Sequence, residues 1–93
     1  ENVEESVRCA SLLAATNLQL GRYREVVQWA DRGLQVSEIK DFERKILEYD
    51  RAQAFELLGE LKESLRSYRK VFEEDPDFRD VQARISKIEL LSD

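Results

Sequence analysis

The sequence predicts an all-α protein built from paired helices. Three observations carry that expectation. Apolar residues recur at spacings of three and four along most of the 93 residues, the helix breakers are limited to Gly21, Gly33, Gly59 and Pro76, and no stretch offers a strand.

The first helix places Val3, Val7, Ala10, Leu13/Ala14 and Leu18 on one stripe, opened by Asn2 as N-cap with Glu5 at the third helical position. The second carries Tyr23, Val26/Val27, Ala30 and Leu34, and the third Phe42, Ile46, Tyr49, Ala52, Phe55 and Leu58. The fourth carries Leu61, Leu65, Tyr68 and Val71/Phe72. The fifth follows Asp75-Pro76-Asp77 and carries Phe78, Val81, Ile85, Ile88 and Leu91, with Asp77 as its N-cap and Asp80 one turn in. Glu4/Arg8, Asp41/Lys45 and Asp80/Arg84 are acid-before-base pairs four apart, each contributing about 0.2–0.5 kcal/mol on a solvated helix face.

Composition narrows the function. Fifteen Lys and Arg against 20 Asp and Glu give a net charge of −5, which disfavours nucleic acid as a partner. No apolar run is long enough to span a membrane. With no His and one Cys, most metal sites and nucleophile–base pairs are excluded, and no cofactor is expected. There is no Gly-rich elbow, Ser-x-x-Lys motif or phosphate-cradling loop. Glu73-Glu74-Asp75 reads as solvated helix-end charge. Asp75-Pro76-Asp77-Phe78-Arg79-Asp80 lacks the turn Gly and closing Glu of a calcium loop. Cys9 sits among Val7, Ala10, Leu12 and Leu13 and is expected as a reduced, wholly or partly buried thiol. The absence of Met suggests a processed chain or a segment of a longer protein.

A repeat organises these elements. Leu20-Gly21-Arg22-Tyr23-Arg24-Glu25 and Leu58-Gly59-Glu60-Leu61-Lys62-Glu63 superpose at a shift of 38 residues, which also pairs Ala14 with Ala52, Asn17 with Phe55, Val27 with Leu65 and Gly33 with Val71. Each unit is a helix, a Leu-Gly turn and a second helix, a hairpin that buries its apolar stripe only against a neighbour.

These residues resemble the tetratricopeptide repeat family. Ala52, Phe55, Leu58-Gly59, Glu63-Ser64, Tyr68 and Asp75-Pro76 fill its pattern in the second unit. Ala14, Leu20-Gly21, Tyr23, Val26 and Ala30 fill it in the first. Asn17 stands where an aromatic is usual, Glu48 and Arg51 where apolar groups are, and the first unit has no terminal Pro. The shift exceeds the family's repeat of about 34 residues by close to one helical turn, read as an extra turn at Asp41–Arg44 or, alternatively, a longer loop at 37–40. Ser64, in a small-residue slot, is explained by packing.

The resemblance implies a right-handed α-solenoid over residues 1–93, with repeat one at 3–36, repeat two at 38–75 with its first helix lengthened, and a capping helix at 77–92. It further implies a non-catalytic, cytoplasmic protein–protein interaction module. The partner, a protein peptide or helix, would lie in a concave groove lined by Arg8, Ser11, Leu12, Ala15 and Gln19, by Tyr49, Asp50, Gln53 and Glu56, and by Ala83, Arg84 and Lys87. Leu12 and Ala15 form its floor and Tyr49 its aromatic wall, while Arg8, Arg84 and Lys87 reach acidic groups. A clamp for a partner's C-terminal carboxylate is disfavoured, because Ser11, Ala15 and Asp50 stand where such members carry Lys and Asn.

Two questions stay open at this level. Trp29 packs between the two units, the preferred reading, or stands exposed as an anchor. The first helix has no preceding repeat over Val3, Val7 and Ala10, so homodimerisation through that end is the alternative function.

Overall fold

In the computed structural model, which describes residues 3–91, the chain forms five helices and no strand among those residues. They are α1 Val3–Gln19, α2 Tyr23–Leu34, α3 Asp41–Leu58, α4 Leu61–Glu74 and α5 Val81–Leu91. The expected N-cap Asn2 and the Val3 side chain lie outside the described parts. Neighbours in sequence pack on one another, α1 also touches α3, and the molecule measures 45 × 27 × 18 Å.

The two Leu-Gly turns have the same geometry. Gly21 and Gly59 close α1 and α3 in the left-handed region, at φ 76° and 80°, where a side chain is strained. The Gly21 N–H donates to Leu18 O and the Arg22 N–H to Asn17 O. Gly59 and Glu60 repeat this to Glu56 O and Phe55 O, the hydrogen bonds again shifted by 38 residues. The residues that open the next helices also agree, Arg22 at φ −94°, ψ 72° and Glu60 at φ −91°, ψ 77°.

Helix α3 is the shared wall of two apolar clusters. Leu47 and Ala54 join Val7, Ala14, Val26 and Ala30 of α1 and α2. Tyr49 and Ala52 join Tyr68, Val71, Val81 and Ile88 of α4 and α5. Phe42, expected on the apolar stripe, is instead exposed, because the core contacts of α3 start at Leu47 and split over two faces. Gly33 sets the approach of α2 to α3: a Cβ there would come within 2.5 Å of Leu47 Cδ1 and 3.2 Å of Ala10 Cβ. Ser64 is fully buried and donates to Ala52 O at 2.8 Å, so a small hydroxyl lets α4 press on α3.

Asp41–Arg44 forms the first turn of α3, with the Glu43 carboxylate accepting from the Lys40 N–H at 3.2 Å. The fifth helix starts later than expected. Asp77 is not its N-cap; its N–H is taken by Asp75 Oδ1 at 3.2 Å, and Arg79 at φ 46° breaks any right-handed helix begun at Asp77. Helix α5 therefore opens at Val81, with the Arg84 N–H on Asp80 O.

Of the three expected surface pairs, Asp80–Arg84 forms at 3.0 Å. Asp41 and Lys45 take Arg44 and Asp75 instead, and Glu4 pairs with Lys40, tying α1 to the start of α3.

Candidate functional site

Helix α1 turns one face away from its apolar stripe. Val7, Ala10 and Ala14 are buried, whereas Arg8, Leu12, Ala15 and Gln19 are exposed, Leu12 to 67%. Val7 and Ala10 therefore do not form an uncovered end, as their place in the sequence suggested, because α2 and α3 pack over them.

What stays open is a shallow cleft of about 750 Å³ between α1 and α2, floored by Ala10 and Val36, walled by Trp29 and Leu12, and edged by Arg8 and Arg32. Every lining residue comes from α1, α2 or the turn after α2. Trp29 is half-buried there, with the Arg32 guanidinium 4.9 Å from its ring centre. It also packs against the edge of the cluster that joins α1 and α2 to Leu47 and Ala54 of α3, beside Val26, Ala30 and Gly33, so it borders both the core and the cleft. Cys9, expected at least partly buried, is exposed on the cleft, one position beyond the stripe that covers Ala10.

Around Tyr49 and Asp50 the α3–α5 part of the expected groove is closed. Tyr49 is 5% exposed and Asp50 6%, because the turn at residues 76–80 folds over both. The Tyr49 hydroxyl donates to Asp80, its ring meets Phe78 edge-on at 5.8 Å, and Arg79 lies over it at 5.0 Å and 3.9 Å from Asp50. Tyr49 is thus a strut under α5 rather than the wall of a groove, and Asp50 faces no opening.

The basic residues of α5 already have acids. Arg84 reaches Asp80 at 3.0 Å and Glu56 at 3.4 Å, and the exposed Lys87 lies 3.7 Å from Glu56. Glu56 also accepts from the buried Tyr68 hydroxyl at 2.9 Å. Burial, then these hydrogen bonds to carboxylates, push both tyrosine hydroxyls above their ordinary range and keep them protonated as donors. Burial also raises Asp50, with Arg79 opposing. The Tyr49 hydrogen bond lowers Asp80.

Glu48 and Arg51, the two charged residues in apolar slots, form one cluster across three helices. Arg51 donates to both Glu48 oxygens at 3.0 and 3.2 Å, to Ser67 at 3.3 Å and to Asp31. Asn17, in an aromatic slot, is buried by bonding back to Leu13 O at 2.8 Å.

Of the expected groove residues, then, Arg8 and Leu12 share the α1/α2 cleft, while Ala15 and Gln19 continue the exposed α1 face. Ser11, Gln53 and Glu56 are half-buried, and Ala83 is exposed on α5. The sequence reading missed Leu57, which is exposed; it lies 38 residues after Gln19, so the repeat shift itself was the signal. Among the described residues there is no cluster of His, Cys, Asp and Glu able to hold a metal ion and no helix long and apolar enough to cross a membrane. Comparison of the chain with protein-family models, curated proteins and solved structures gave no match.

Proposed function

We propose that this chain is a non-catalytic protein–protein interaction module of the tetratricopeptide type, a right-handed solenoid of two units and a capping helix that works in the cytoplasm. Its partner is a protein peptide or helix laid along the open face of α1 and into the α1/α2 cleft. The observation that supports this most is Leu12, a large apolar side chain 67% exposed between Arg8 and Trp29 on a face that no described element covers. The groove is therefore read as Arg8, Leu12, Ala15 and Gln19, with Gln53, Leu57 and Lys87 at its far side.

A pull-down with the chain as bait, repeated with Leu12→Glu and Arg8→Glu together, tests this reading. Loss of the captured partners is expected, and partners retained unchanged reject it.

Self-association through the same cleft is the second reading, favoured by the half-buried Trp29 beside Leu12 and Val36. Sedimentation at high micromolar concentration distinguishes the two, since a monomer rejects the dimer.

A further inference from the structure

A second surface lies on α4. Lys62, Arg66, Arg69 and Lys70 are all exposed and rim a shallow groove of about 580 Å³, with the half-buried Leu65 at its floor and Glu73 at its end. In a chain of net charge −5, four of its 15 basic residues are gathered on one face of one helix.

We propose that this face docks an acidic segment of a partner protein, Lys62, Arg66 and Lys70 taking its carboxylates while Leu65 takes an apolar side chain. The cations recur every fourth residue, about 6 Å apart along the helix axis, which matches carboxylates spaced four apart on a partner helix. The stripe's present ion pairs yield easily. Arg66 holds Glu63 at 3.0 Å and Arg69 holds Glu89 at 2.8 Å, each with both side chains about half exposed or more, and such pairs contribute little in water. Lys70 lies 3.9 Å from Glu48, and Lys62 has no ion-pair partner among the described residues.

Charge complementarity selects a carboxylate-bearing protein segment over a polyphosphate. The net negative charge opposes a long nucleic acid, and none of the residues lining this groove is an aromatic that could stack bases. Within a Debye length of roughly 8 Å at physiological salt, a short acidic segment feels the stripe more than the rest of the molecule.

The test is fluorescence anisotropy of a labelled Glu/Leu peptide with carboxylates every fourth residue, titrated with the 93-residue chain. Binding that weakens with added salt is expected, about tenfold weaker for Arg66→Glu and unchanged for Arg22→Glu, a charge-matched change on another exposed turn. The neutral pair Lys62→Gln/Lys70→Gln is the milder version, and circular dichroism confirms that each variant keeps its helices. The proposal is overturned by absence of peptide binding, by equal loss in Arg22→Glu, or by preferred binding of oligouridylate or phosphatidylserine vesicles through the same residues. Because α4 does not line the α1/α2 cleft, failure here leaves the reading of that cleft standing, and the converse holds.

Discussion

Leu12 and Asp50 occupy equivalent positions on α1 and α3, 38 residues apart, with inverted environments: the leucine stands in solvent and the carboxylate is buried. The cause is Arg79, which lies over the Tyr49 ring and beside Asp50. Asp41, its counterpart 38 residues earlier, takes Arg44 and places no long cation over α1. Leu12 thus contributes little to the fold, and Leu12→Gln is expected to change stability by less than about 0.5 kcal/mol in urea denaturation while weakening partner capture.

Gly33 behaves oppositely. Gly33→Val drives a side chain into the fully buried Leu47 and into Ala10, and urea unfolding should show a loss of about 1–3 kcal/mol. A loss near zero would mean that α2 can slide away from α3.

The Glu48–Arg51 pair gives a test of net worth against mutual dependence. Arg51→Ala leaves the carboxylate of Glu48, 8% exposed, with only Lys70 at 3.9 Å, and should cost about 3 kcal/mol. Glu48→Leu/Arg51→Met, which restores apolar groups to both slots, should be neutral or stabilising. A double-mutant cycle by chemical denaturation checks both.

Tyr68→Phe removes the hydroxyl that donates to Glu56 and is expected to cost about 1.5–3 kcal/mol by thermal or urea unfolding. Glu56 keeps Arg84 and Lys87, so the helical content should not change.

The two aspartates beside Tyr49 respond to pH with opposite signs. Asp80, its carboxyl lowered by the Tyr49 hydrogen bond, contributes stability that is present above its ordinary value of 3.8 and lost as pH falls below it. Asp50, raised by burial, binds its proton more tightly in the folded state, so its contribution falls as pH rises through the window above 3.8. Thermal melts from neutral pH down past 3.8 should therefore show Asp50→Asn more stable than wild type at neutral pH and Asp80→Asn less stable there, with a gentler acid limb for the latter.

The helices and their turns were legible because they depend on local chemistry. Gly21 and Gly59 announce left-handed closures, and apolar spacing announces each stripe. The groove was less legible because exposure is decided between elements. Nothing near Tyr49 in sequence says that the turn at residues 76–80 will fold over it, and that turn departs from a helix at Arg79, whose positive φ has no composition signal. Trp29 could not be placed for the same reason, since on α2 it borders both the core cluster and the cleft. The charged slots at Glu48 and Arg51 were visible as departures, but that they answer each other and Asp31 required three helices together.

Trp29 is the single tryptophan of the chain, and it lies in the α1/α2 cleft beneath Arg32. The molecule accordingly carries its own optical probe there: a shift in indole emission reports water leaving or entering that cleft, and nearly nothing from the α4–α5 end contributes to the signal.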